Sequence, residues 1–216
     1  MKKAILFGAS GFVGSCLLAE LLNNPDYSEV TIVVRKGLQV EHPKLKILIG
    51  DYGSLSGLKE SIEADDVFIT LGTTKKKTPD EKLYYQIDHD YPVLAAKIGK
   101  ERGAKAVFVV TAVGANAGSG IFYVRTKGET ERDIIALDLE HTHIFRPSMI
   151  MGNRKESRPL EKFLIGVFRV INPIFGSSRY RGIEGAAIAK AMNNAATRRQ
   201  TEKVKIYQWK EMNELL

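Results

Sequence analysis

The chain has 216 residues, 44% of them hydrophobic and 26% charged, which fits one globular domain with a full core and excludes a disordered or fibrous chain. No apolar run approaches the ~20 residues that span a bilayer, so no transmembrane segment is expected. The formal net charge of +7 favours anionic ligands, but the basic residues are scattered and no DNA- or RNA-binding motif accompanies them, so phosphate groups are expected and nucleic acid is not.

The first apolar run, Ala4-Ile5-Leu6-Phe7, reads as a buried parallel strand. It leads into Gly8-Ala9-Ser10-Gly11-Phe12-Val13-Gly14 and the helical pattern from Cys16 to Leu22. Strand patterns follow at Val30–Val34, Leu45–Ile49, Val67–Leu71, Ala106–Val110, His143–Arg146 and Val204–Tyr207. Helical patterns lie between them at Leu55–Ile62, Leu83–Arg102, Lys127–Leu137 and Ala186–Ala196. Strands alternating with helices predict a doubly wound α/β fold, a parallel sheet with helices on both faces, because each parallel crossover needs a covering helix. Nothing resembling a linker or repeat divides the chain, so residues 1–216 are expected to be a single Rossmann-type domain, with 152–200 as a substrate-side segment.

The basic-then-apolar start, Met1-Lys2-Lys3-Ala4, is broken by glycines and has no small-residue cleavage site, so it is not read as a signal peptide. The single cysteine, Cys16, lies in a helical pattern and cannot form an internal disulfide. Together these features predict a cytoplasmic protein with one inert thiol.

Glycines spaced G-x-x-G-x-x-G between a strand and a helix predict a dinucleotide site. Gly8 allows the sharp turn, Gly11 lets backbone approach a pyrophosphate, and Gly14 lets helix and strand pack closely. Ligands in such sheets bind beyond the carboxyl ends of the strands. The segments there are Arg35-Lys36, Gly50-Asp51, Leu71-Gly72-Thr73-Thr74, Thr111-Ala112 and Pro147-Ser148-Met149. Arg35, Lys36, Asp51, Leu71, Gly72, Thr73, Thr74 and Pro147 are therefore expected to line the cofactor. NAD-selective sites place an acidic group at the end of the second strand, on the ribose 2′-hydroxyl. Here that place is held by Arg35, whose guanidinium suits a 2′-phosphate, so NADP(H) is expected over NAD(H). Asp51 suits either an adenine contact or a turn.

Tyr123 and Lys127 are four residues apart and share one face of a helix. An ammonium beside a phenol favours proton transfer near neutral pH. The four histidines show no metal-ligand spacing.

The glycine loop, Leu71-Gly72-Thr73-Thr74, Asp90-Tyr91-Pro92, Phe122-Tyr123 through Lys127-Gly128-Glu129, and Arg146-Pro147-Ser148 through Arg158 together resemble the short-chain dehydrogenase/reductase superfamily. The likeness is to its compact atypical branch, which includes the human HIV Tat-interacting protein and many bacterial NAD(P)H-binding oxidoreductases. The resemblance implies Tyr123 as general acid toward a substrate carbonyl and Lys127 on the nicotinamide ribose. It also implies a hydroxyl at the end of the fifth strand that holds the carbonyl oxygen. That position is Thr111 here, where family members usually carry serine, and Ala112 supplies no second hydroxyl. Ser119 reads as a turn residue within Gly118-Ser119-Gly120.

Leu160, Phe163, Leu164, Val167, Phe168 and Ile171 recur at helical spacing among Arg154, Lys155, Arg158 and Arg169. An ordinary core-facing helix over 158–174, a substrate lid, and a basic face for a membrane or partner are the three readings. The chain as a whole is expected to act on a small carbonyl or alcohol by NADP(H)-dependent hydride transfer. The alternative is an NADP(H)-binding sensor with little turnover. A homo-oligomer or a protein partner is compatible with either, and the chain is too short for the substrate lobe of a sugar-nucleotide epimerase.

Overall fold

The computed structural model describes residues 1–152, 181–199 and 201–216. The expected helix over 158–174, with Arg154, Lys155, Arg158 and Arg169, lies outside the described residues.

Seven parallel strands form one sheet in the order β3-β2-β1-β4-β5-β6-β9. They are β1 (Lys2–Phe7), β2 (Tyr27–Val34), β3 (Leu45–Ile49), β4 (Asp66–Ile69), β5 (Ala106–Val110), β6 (His141–Phe145) and β9 (Val204–Tyr207). The order reverses between β1 and β4, which opens a crevice at their carboxyl ends. This is the doubly wound Rossmann arrangement expected from the alternating pattern. β4 and β5 are buried along their whole lengths, as β1 is from Ala4 to Phe7, and this is why they read as unbroken apolar runs rather than alternating ones.

The helices are α1 (Phe12–Asn23), α2 (Leu55–Leu58), α3 (Glu81–Tyr85), α4 (Tyr91–Glu101), α5 (Phe122–Ala136), α6 (Gly185–Thr197) and α7 (Trp209–Asn213). One core lies between α1, α6 and the sheet, with Leu17, Leu21, Phe68, Phe108, Ile188 and Met192 fully buried. The other packs Ile5, Val67, Ala95, Val107, Ile134 and Ile144 on the opposite face. A small second sheet pairs β7 (Ile150–Met151) with β8 (Ile183–Glu184).

The helix expected over Leu83–Arg102 is interrupted. α3 runs into a π-helical turn, Gln86–Asp90, before α4 begins. Pro92 has no N–H to donate to the Asp88 carbonyl one turn earlier, and the Thr130 hydroxyl, shared with the Thr126 carbonyl, lies 2.8 Å from both oxygens. β4 stops at Ile69, two residues short of the expected end; the Thr70 amide still makes the ladder bond to the Phe7 carbonyl, at 2.9 Å, and its hydroxyl lies 3.2 Å from the same oxygen. The expected helix from Lys127 begins earlier, at Phe122, so Tyr123 lies within its first turn.

Candidate functional site

The glycine loop closes as its spacing requires. Gly8 has φ +95°, a conformation that favours glycine, and the Gly11 amide donates to its carbonyl at 2.9 Å. A Cβ at Gly14 would stand 2.0 Å from the Gly8 carbonyl oxygen, so only glycine lets α1 approach β1 this closely. Gly11 is the N-cap of α1 and brings no side chain to close the first turn. The positive end of the helix therefore faces the crevice at the β1–β4 switch point, a cradle that fits a pyrophosphate. Ala9, Val13 and Gly14 are buried, Ser10 and Gly11 are exposed, and Phe12 is half-buried. The Phe12 ring lies where Cβ atoms of Gly152 and Gly185 would be, which ties the loop to β7 and α6.

At the end of β2, Arg35 and Lys36 are exposed. Next to them, Tyr91 lies edge-on to Phe7 and Tyr52, with ring centres 6.2 and 6.0 Å apart. Burial, and then the Asp51 carboxylate, push the Tyr91 phenol up to about 12, while Arg35 pulls the other way, so all three belong to one neighbourhood. Asp51 itself accepts from the Ser54 amide and hydroxyl at 3.0 and 2.9 Å, the geometry of a turn that starts α2. Tyr91 belongs to the Asp90-Tyr91-Pro92 motif read in the sequence, but Tyr52 was not singled out, because its meeting with Tyr91 depends on the segment after β3 coming together with α4.

Past β4, Leu71, Thr73 and Thr74 are half-buried and Gly72 is exposed. The Thr73 amide donates to Asp88 Oδ2 at 2.7 Å. The other oxygen of Asp88 lies 2.6 Å from Lys127 Nζ, and both side chains are deeply buried. A Cβ on Gly72 would lie 3.5 Å from Asp88 and 3.7 Å from Lys127 Nζ, so the backbone after β4 rests on this ion pair. Burial alone would lower the pKa of Lys127, but the charge of Asp88, with lesser help from Tyr123 and Glu131, raises it above the ordinary lysine value. Lys127 is thus a cation held at the floor of the crevice. Tyr123, one turn earlier on α5, is 44% exposed.

Gly128 explains how α5 comes so near. A Cβ there would stand 2.1 Å from the Ala117 amide nitrogen, so the loop after β5 lies directly on the helix. Ser119 in that loop accepts from the Ile121 amide at 3.1 Å, a turn role. Thr111, at the end of β5, is 6% exposed and donates its hydroxyl to Glu131 Oε1 at 2.5 Å. Arg146, after β6, holds both oxygens of the same carboxylate. The Pro147 carbonyl accepts from the Val113 amide at 2.9 Å, which joins the β5 and β6 ends. Glu131 is thus the nearer of the two acceptors of the Thr111 hydroxyl, the Phe145 carbonyl lying 3.4 Å away.

Asp88 and Glu131 were missed in the sequence. Glu131 was within reach, since 123, 127 and 131 repeat at four-residue spacing and share a helix face. Asp88 carried no local signal beyond its place four residues before a proline. Among the described residues no cluster of His, Cys, Asp or Glu is arranged to hold a metal.

A family model described as NAD(P)H-binding matches residues 8–162. The mitochondrial protein FMP52 of Candida glabrata is 33% identical over 85% of this chain and 78% of its own length. The Aspergillus niger fmp52 protein is 31% identical over 92% of this chain and 88% of its own. Among solved structures, MoeE5 in complex with UDP-glucuronic acid and NAD aligns with a TM-score of 0.73 at 18% identity, covering 96% of this chain and 76% of that one. A UDP-glucose 4-epimerase from Thermotoga maritima aligns at 0.71 and 14% identity, covering 95% and 76%. At such identities these structures speak for the fold.

The relatives' names overturn the expected cytoplasmic location, since they are called mitochondrial proteins. A lone cysteine and the lack of a long apolar run are compatible with more than one compartment and never singled out the cytoplasm. The matched family model and the extent of the FMP52 likeness agree with the glycine cradle at the β1–β4 crevice: the chain belongs to the NAD(P)H-binding family.

Proposed function

We propose that the chain is an NADP(H)-dependent oxidoreductase of the short-chain dehydrogenase/reductase type, from the atypical branch its motifs resemble, acting on a small carbonyl or alcohol. The observation that carries this reading is Lys127, buried as a cation on the same face of α5 as Tyr123 and directly under the loop after β4. The cofactor, when bound, supplies the hydride that reaches the carbonyl carbon. Lys127 holds the nicotinamide ribose hydroxyls, and Tyr123 gives its phenolic proton to the carbonyl oxygen. The glycine loop holds the pyrophosphate, and Arg35 pairs with the 2′-phosphate. Leu71, Gly72, Thr73, Thr74 and Pro147 line the groove between them.

The test is turnover of a panel of carbonyl compounds with NADPH, comparing the wild type with Tyr123→Phe. The variant is expected to lose about 100-fold or more in kcat while binding the cofactor unchanged. Full activity in Tyr123→Phe would refute the assignment.

One observation favours the second reading, a cofactor-binding sensor with little turnover. The Thr111 hydroxyl, which the resemblance would place on the substrate carbonyl, donates to Glu131. For Thr111 to serve the substrate, that bond has to be given up or the hydroxyl has to act as part of the Glu131–Arg146 network. Tight NADPH binding without turnover of any panel member supports the sensor.

A further inference from the structure

A cavity of about 220 Å³ lies at the β6–β9 edge of the sheet, roofed by the end of α6 and by α7. Lys2, at the start of β1, donates to the Ala196 carbonyl near the end of α6 at 3.3 Å. α6 therefore ends beside the amino ends of the strands. Arg198 and Arg199, which follow it and line the cavity, stand at the opposite end of the sheet from the glycine loop.

The cavity floor is polar where the neighbouring part of that sheet face is apolar. Phe68, Phe108 and His143 stack across β4, β5 and β6 with ring centres 4.8 and 4.6 Å apart, so a row that begins as phenyl ends as imidazole. His143 is 2% exposed, and its Nδ1 lies 2.9 Å from the hydroxyl of Tyr207, 5% exposed, on β9. Lys205 is in register with His143 and, two residues before Tyr207, shares its side of the strand. Burying an imidazole and a phenol costs free energy that phenyl groups at the same places would not.

The charges around the cavity are unequally answered. Glu202 holds Lys205 at 2.7 Å, Glu211 accepts the Gln208 amide at 2.9 Å, and Glu214 lies 3.8 Å from Lys210. Each carboxylate thus has a partner on its own stretch of chain. Arg198 spends one donor on the Glu214 carbonyl, at 3.2 Å, and Arg199 makes no hydrogen bond or ion pair with a described residue. Two guanidiniums with donors to spare suit a dianion, which each can grip through paired hydrogen bonds. The space exceeds the about 150 Å³ that suffices for benzene, so a ring fits beside the charged group.

We propose that this cavity is a second ligand site, for a phosphate monoester whose body is about the size of a six-membered ring. Arg198 and Arg199 take the phosphate, and the His143–Tyr207 floor takes the body. Neither the cofactor nor Tyr123 takes part.

The probe is phenyl phosphate, added to 15N-labelled protein at pH ~7.5, where a phosphate monoester is mostly dianionic. Amide shifts are followed, with inorganic phosphate and benzoate as comparisons. Phenyl phosphate is expected to shift amides of residues 141–145, 195–199 and 201–207 saturably, and to bind at least about tenfold more tightly than either comparison. In Arg198→Gln/Arg199→Gln, both exposed positions, its dissociation constant there should rise at least about tenfold. Shifts confined to the glycine loop, residues 8–14, would send the phosphate to the cofactor cradle alone and overturn the proposal. An affinity unchanged in the double variant overturns it as well. Benzoate binding as tightly as phenyl phosphate would overturn the choice of a dianion, and inorganic phosphate doing so would overturn the ring-sized body.

Discussion

Gly14→Ala separates the packing role of the glycine loop from its binding role. The added methyl would stand 2.0 Å from the Gly8 carbonyl oxygen, 2.7 Å from the Gly8 carbonyl carbon and 2.7 Å from Thr70 Oγ1. Two of these atoms are backbone, and the third is bound to the Phe7 and Gly8 carbonyls, so none can swing away cheaply. α1 has to move off β1, while its far side is packed against α6 with Leu17 and Leu21 fully buried. Overpacking of this kind costs about 3 kcal/mol at the upper end of its usual range. Replacing glycine by alanine inside a helix returns about 1 kcal/mol, which leaves about 2 kcal/mol of net loss. For a chain of this size that is a fall in Tm of about 4–8 °C. Gly11→Ala is the contrast: its φ is −80°, which any residue adopts, and its methyl would meet only the Gly8 oxygen, at 3.2 Å. Its Tm is expected within about 2 °C of the wild type, but NADPH affinity should fall at least about tenfold, because the methyl stands where the pyrophosphate must come. Circular-dichroism melts and cofactor titrations of the two variants decide the matter. A Gly14→Ala Tm equal to or above the wild type would refute the packing argument.

Two other predictions concern the buried charges. Arg146→Met leaves the Glu131 carboxylate, 4% exposed, with Thr111 as its remaining partner, and should cost about 3 kcal/mol in urea unfolding. Arg146→Met/Glu131→Gln should recover much of that loss, and equal losses in the single and double variants would contradict the account. Lys127 has a folded-state pKa above its unfolded value of 10.5, so its contribution to stability is complete below that pH and is lost as pH rises through the folded value. Urea midpoints measured at pH ~9 and pH ~11 should therefore diverge more in the wild type than in Lys127→Met. The same divergence in both would place the alkaline loss elsewhere.

The doubly wound parallel architecture and the glycine cradle were legible in the sequence because both rest on local signals. Apolar runs mark the buried strands, and three glycines mark a turn, an approach and a contact. Tyr123 and Lys127 were legible for the same reason, as neighbours on one helix. Asp88 was hidden, since its meaning comes from a π-helical turn that Pro92 forces and from a helix far along the chain. Thr111 shows the opposite failure. The position was read correctly as a strand end, but the direction of its hydroxyl depends on Glu131 and Arg146, which only the packing of α5 against β5 and β6 brings together. Location was not legible at all, because address signals are read by receptors rather than by the fold.

The central claim is a dinucleotide site in the β1–β4 crevice whose 2′-phosphate preference is set by Arg35 at the end of β2. Paired fluorescence titrations with NADPH and NADH, on the wild type and Arg35→Asp, test it most directly. The account predicts saturable binding with NADPH preferred, and a fall of at least about tenfold in that preference in the variant. Binding of neither nucleotide would contradict the site, and an unchanged preference in Arg35→Asp would contradict the role given to Arg35.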